Sequence, residues 1–121
     1  MKKTIFLDID GCIFRHKGNL STQILEPVEL LPGVIDKINE WDAEGHRIII
    51  VTGRKESMRK LTEEQLQKNG VFYDQLIMGI NRGERILIND KKIDKDGYVD
   101  NTKVASAIQI PRNEGLTDIN L

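Results

Sequence analysis

Four short apolar runs, each closed by polar residues, limit what this chain can fold into. Thr4-Ile5-Phe6-Leu7 runs into Asp8-Ile9-Asp10-Gly11, and Arg47-Ile48-Ile49-Ile50-Val51 into Thr52-Gly53-Arg54. Gln75 to Met78 is a third run, and Ile86-Leu87-Ile88 is a fourth that meets Asn89-Asp90. Runs this short, β-rich and without polar alternation read as strands buried on both faces of a parallel sheet. Ala107 to Ile110 is a candidate fifth strand.

The segments between the runs read as helices or loops. Pro32-Gly33 opens a helix with Val34, Ile35, Ile38 and Trp41 on one side, and Glu44-Gly45 closes it. A second helix is expected from about Glu56 to Lys68 with Gly70 as its cap. Its apolar face is thin, which suits a surface position. Residues Cys12 to Glu29 lack a clear period, and Gly18, Asn19, Ser21 and Pro27 mark them as a loop or flap, with a small hairpin expected near Lys17-Gly18-Asn19. Strands alternating with helices predict an α/β fold: a Rossmann-like three-layer sandwich with a mostly parallel sheet. At 121 residues the chain is expected to be one domain, 1–121, with 12–29 as its flap.

Composition narrows the function classes. A net charge of -1 gives no general attraction for nucleic acid or anionic membranes. No apolar run approaches the roughly 20 residues of a membrane helix, and the acids at Asp8 and Asp10 interrupt any leader-like start, so a cytoplasmic protein is expected. Cys12 is the only cysteine, which excludes an internal disulfide and a multi-cysteine metal cluster. A thiol phosphatase would need Arg six positions after it, and that position is Gly18, so Cys12 reads as packing.

Asp8, Asp10, Thr52 and Asp90 all fall at expected carboxyl ends of strands, where open α/β sheets bind ligands. Two carboxylates one residue apart can converge on one hard cation such as Mg²⁺, with Asp90 arriving from another strand to complete the metal site. Asp8 could then attack phosphorus, while Asp10 protonates the leaving oxygen and later deprotonates water. The Thr52 hydroxyl and N–H are expected to meet a phosphate oxygen, with Gly53 admitting a close backbone approach. Arg54 starts a helix, where its charge gains nothing from the dipole, and this suggests an anionic ligand nearby.

Here the residues carry a resemblance. Phe6-Leu7-Asp8-Ile9-Asp10-Gly11 resembles the first motif of the haloacid dehalogenase superfamily, whose phosphatases read Asp-x-Asp-Gly. Val51-Thr52-Gly53-Arg54 is similar to its second motif, and Asn89-Asp90-Lys91-Lys92-Ile93-Asp94 to its fourth. The resemblance covers roughly Thr4 to Asp94. It implies a magnesium-dependent phosphomonoester hydrolase with Asp8 as nucleophile, an aspartyl-phosphate intermediate, Asp10 as acid and base, and Asp8, Asp10 (through its carbonyl) and Asp90 on the metal. Gly11, Gly53, Arg54 and Arg82 are the expected substrate contacts.

The chain departs from the pattern at the third motif, because Tyr73 to Arg85 contains no Lys. Arg82, Lys91 or Lys92 has to supply the cation. Lys92 is preferred, since it alternates to the same side as Asp90 if the strand continues. Asp94 reads equally as an acid near the metal or as part of a turn with Asp96 and Gly97. His16, His46 and Trp41 read as a loop residue, a surface residue and a core residue, and Arg112-Asn113 as a tail that lines the site.

Only 41 residues separate Asp10 from Thr52 and 37 separate Thr52 from Asp90, too few for a full cap domain. The expected site is therefore open, unless the flap or a homo-oligomer closes it. A small sugar phosphate is the preferred substrate, and the ending Ile110-Pro111-Arg112-Asn113-Glu114-Gly115 resembles small bacterial or phage relatives of sugar and capsule phosphatases. A bulky polynucleotide or protein phosphate is the alternative, as is a non-catalytic, receiver-like phosphate-binding domain.

Overall fold

Three parallel strands organise the molecule: β1 (Thr4–Leu7), β2 (Arg47–Val51) and β3 (Gln75–Ile77), in the order β1-β2-β3. The computed structural model describes residues 2–25, 27–99 and 102–121; for 20, 24 and 25 only the backbone is described. Helices α1 (Leu20–Leu25), α2 (Val34–Ala43) and α3 (Arg59–Lys68), the last entered through a 3₁₀ turn at Glu56–Met58, complete the set. The chain is thus a small α/β, Rossmann-like fold with an open parallel sheet.

The strand runs predicted at 4–7, 47–51 and 75–78 form for the expected reason. Leu7, Ile48 and Ile50 turn inward and bury almost fully, joined by Val34, Ile38 and Trp41 of α2 and by Leu66 of α3. Each such side chain contributes roughly 1.5–3 kcal/mol by leaving water. Both long helices feed this one core. The opposite sheet face carries Phe6 at 57% exposure and Ile77 at 41%, in the register rows Phe6–Ile49 and Val51–Ile77.

The flap begins as a tight anchor. The Ile9 carbonyl accepts hydrogen bonds from the amides of Cys12, Ile13 and Phe14, and Ile9, Ile13 and Phe14 are fully buried. Phe14 bridges to Leu30 and closes the loop at its far end. The hairpin expected near Lys17-Gly18-Asn19 is replaced by α1, because the Asn19 side chain accepts from the Thr22 amide at 2.9 Å and starts a helical turn. Glu26 of the flap lies outside the described residues.

The fourth and fifth strands do not form. Ile86, Leu87 and Ile88 are 76%, 58% and 91% exposed, and 107–110 is equally without a ladder. A strand needs a paired neighbour, and a parallel neighbour needs a crossover of about a dozen residues. Only the eight residues 78–85 separate Ile77 from Ile86. Further on, Asp94 accepts from the amides of Asp96 and Tyr98, and Ile93 bridges Val99, so the Asp94-Asp96-Gly97 segment is a turn. The tail returns to the body, where the Leu116 amide bonds the Pro32 carbonyl and Leu116 joins the core. His46, expected at the surface, is buried between the Lys3 amide on Nδ1 and Glu44 on Nε2.

Candidate active site

Asp8 follows the last residue of β1 and is exposed at the carboxyl ends of the strands. Its Oδ1 accepts the Ile9 amide at 2.9 Å. Partial desolvation raises the Asp8 carboxyl above the ordinary carboxylate range, against the opposing pull of that amide and of the nearby Arg85 and His16 charges. Asp10 adds a smaller push in the same upward direction.

Asp10 stands beside it in a different environment. The Arg54 guanidinium holds both its oxygens, Nε to Oδ2 at 2.9 Å and Nη2 to Oδ1 at 2.8 Å. Gln23 Nε2 donates a third bond to Oδ1 at 2.6 Å. Arg54 is itself buried, and its remaining nitrogen donates to Thr62 Oγ1 at 3.1 Å and Gln65 Oε1 at 2.6 Å. Four of its five donors are thereby used inside the protein. Arg54 was expected to meet an anionic ligand; its guanidinium meets Asp10 instead.

Thr52 follows the last residue of β2, as expected, but it is buried and inward-facing. Its hydroxyl accepts the Arg54 amide at 3.1 Å, and its own N–H bonds the Ile77 carbonyl. The N–H expected to reach phosphate is therefore used by the sheet. The next amide, that of Gly53, makes no hydrogen bond among the described residues, and Gly53 is exposed. Gly11 turns the chain away from the acids at φ +93°, and a Cβ there would approach Arg112 Cγ to 3.3 Å. Its N–H is bonded to the Phe14 carbonyl. Gly11 therefore seats the tail and shapes the loop. Cys12, half-buried behind the acids, has its thiol pushed up to about 11 by burial and by Asp8 and Asp10, which agrees with a packing role.

The tail lines this end of the sheet, as the Arg112-Asn113 reading expected. The Asn113 amide bonds the Gly11 carbonyl, and its side chain accepts from the His16 amide at 2.6 Å and donates to the His16 carbonyl at 3.2 Å. These bonds hold His16 within electrostatic range of Asp8.

The remaining expected residues are not gathered. Asp90 and Lys92 pair with one another at 3.4 Å on exposed chain, and Arg82 is exposed. None of Arg82, Lys91, Lys92 or Asp90 is among the charges that act on Asp8, whereas Arg85 is. Within one chain, then, Arg85 is the nearby arginine whose charge reaches Asp8, and Lys92 stays on exposed chain with Asp90. Sequence reasoning also missed Gln23, Thr62 and Gln65. The last two follow Met58 at helical spacing on the buried side of α3, a stripe of polar residues where apolar ones are usual.

Within one chain the side chains expected around Mg²⁺ are only partly gathered: Asp8 and the loop carrying the Asp10 carbonyl, the expected ligand, stand together, while Asp90 lies on exposed chain. Among the described residues no three acids or other ligands cluster, and both Asp10 oxygens are engaged by Arg54 and Gln23. A cleft of about 330 Å³ lined by Thr4, Arg47, Ile49, Asp74 and Gln75 lies at the amino ends of the strands, remote from Asp8.

Comparison with known proteins bears on the fold. No family model matches the chain, and no curated protein matches it. A solved structure of a Pnkp1/Rnl/Hen1 complex is similar over 71% of this chain, with a TM-score of 0.58 and 24% identity. The chain spans 31% of the length of that neighbour. A crystal structure of a Vibrio cholerae protein is similar over 79% of this chain and 85% of its own, with a TM-score of 0.51 and 22% identity. At these identities the likeness is one of fold alone.

Proposed function

We propose that the chain is a phosphomonoester hydrolase in which Asp8 is the nucleophile and a small sugar phosphate is the substrate. The observation that carries the reading is the contrast between two acids one residue apart. Asp8 is open, within electrostatic range of Arg85 and His16, while Asp10 is clamped by Arg54 and Gln23. The resemblance of Phe6 to Gly11 to an Asp-x-Asp-Gly phosphatase motif supports it.

A phosphate entering from solvent meets Arg85, His16 and the Gly53 amide, which offset its charge and orient it. An Asp8 oxygen forms the bond to phosphorus as the bond to the leaving oxygen breaks. The leaving oxygen takes a proton from Asp10, which must carry it outside the grip of Arg54. Water then attacks the aspartyl-phosphate, Asp10 accepts its proton, and phosphate departs with Asp8 restored. Arg54 and Gln23 act by positioning Asp10. Asp8, the Asp10 carbonyl and Asp90 are the groups that would hold a Mg²⁺, which would offset the charge between carboxylate and phosphate.

A non-catalytic phosphate-binding domain is the second reading, favoured by the incomplete acid set of one chain. A turnover screen over sugar phosphates, nucleotides and phosphopeptides, with and without Mg²⁺, separates the two. Repeated turnover by the wild type and its loss in Asp8→Asn support the enzyme; binding of phosphate without turnover supports the module.

A further inference from the structure

The missing third acid and the unpaired strand have one common solution. We infer that residues 86–88 of a second copy of this chain pair in parallel with the open edge of β1 and bring that copy's Asp90 to Asp8. The pairing stands on strand geometry; the role of Asp90 rests on the phosphatase reading above.

Among the described residues β1 pairs with β2 alone, so its other edge presents unpaired backbone groups, with Phe6 57% exposed beside it. Open edges invite another strand. Ile86-Leu87-Ile88 is such a strand in composition, and it is exposed throughout.

A chain cannot supply this strand to itself. For Asp90 to arrive beside Asp8, the strand must run parallel to β1 and so begin at its amino end. The amides of Gly79 and Ile80 bond the carbonyls of Arg54 and Thr52, which fixes 79–80 at the carboxyl end of the sheet. Residues 81–85 are then the whole of the return path. Strand spacing and rise put its length at about 16 Å even in a straight line through β1 itself. The six steps from Ile80 to Ile86 span at most about 22 Å, whereas a route that clears β1 by a packing distance of about 10 Å and returns runs to about 26 Å, out of reach. The Arg85 charge reaches Asp8, at the same carboxyl end. An antiparallel pairing in one chain would carry Asp90 away from Asp8.

Two copies related by a two-fold axis remove the conflict. Each sends 86–88 onto the other's β1, and the two exchanged strands lie antiparallel between the two β1 strands, giving one continuous eight-stranded sheet with both β1 edges covered. About 14 Å then separates the two β1 strands, so each Arg85 stays near its own Asp8 while the next residue enters the partner.

Two measurements test this. Sedimentation of the wild type should give twice the 13.8 kDa chain mass, and Leu87→Pro, which removes a ladder donor from an exposed segment, should give a monomer with unchanged circular dichroism. A monomeric wild type overturns the proposal: one destabilised by Leu87→Pro would have the segment on its own sheet, and one indifferent to it would leave the edge to a foreign partner. A dimer indifferent to Leu87→Pro also overturns it. The second measurement refolds inactive Asp8→Asn and Asp90→Asn chains together. With Asp90 acting across the interface, random pairing restores about a quarter of the wild-type sites, each built from one intact Asp8 and one intact Asp90. No restoration, with an active wild type, overturns it. If the wild type hydrolyses nothing, the phosphatase reading fails, and sedimentation alone still decides the exchange.

Discussion

Arg54 and Asp10, 44 positions apart in the chain, form a two-pronged ion pair at 2.9 and 2.8 Å, with the Arg54 side chain 1% exposed. The pair joins the loop after β1 to the turn after β2, and α3 completes it through Thr62 and Gln65. It makes Arg54 part of the scaffold that aims Asp10.

Replacing Arg54 therefore affects stability and chemistry together. Arg54→Met leaves Asp10 without its buried partner and is expected to cost about 3–5 kcal/mol in denaturant unfolding. Arg54→Lys keeps the charge but loses the planar fork. Its kcat should fall at least tenfold with KM little changed, since no substrate contact is removed.

The raised Asp8 pKa gives a pH signature in metal-free protein. A carboxyl whose folded pKa lies above its unfolded value favours folding in its protonated form. That contribution is fully present below the unfolded value, near 3.8, and is lost as pH rises through the higher folded value. Asp8→Asn removes the charge, so its Tm should exceed the wild type's at pH 7, and the two should converge as pH falls toward 4. Calorimetry across that range checks it.

Cys12, with its thiol pushed up to about 11, is almost wholly protonated at pH 8 and should be a poor nucleophile. Disulfide-reagent titration should be slow in the native protein and rapid in denaturant. Fast native labelling would contradict the placement of Cys12 against the two acids.

The tail is expected to matter to the site. Asn113→Ala removes two side-chain bonds to the His16 backbone and should raise KM severalfold while costing about 1–2 kcal/mol. Gly115 tests the same seat by sterics. It lies at φ +83°, and a Cβ there would come within 2.2 Å of the Pro32 carbonyl oxygen, so Gly115→Ala should lower Tm by several degrees.

The sequence was most legible where local chemistry and tertiary packing agree. The runs at 4–7 and 47–51 became the paired core of the sheet, and the 3.6-residue spacing of Val34, Ile38 and Trp41 became the buried side of α2. The partnering of Arg54 with Asp10 was not legible, because an arginine at a helix entrance looks the same whether it faces solvent or a buried acid. Ile86–Ile88 has the composition of a strand, but composition says nothing about whether the connection before it is long enough to reach a free edge. For the same reason the spacing alone did not show that Lys92 stays away from Asp8 within one chain, or that Arg85, next to the run, comes within electrostatic range of it.

Trapping the intermediate tests the account most directly. The wild type, quenched in acid during turnover of a sugar phosphate and digested, should yield the peptide containing Asp8 with one added phosphoryl group, and Asp8→Asn should yield none and turn over nothing. A phosphoryl group on another residue, or full turnover by Asp8→Asn, would contradict it.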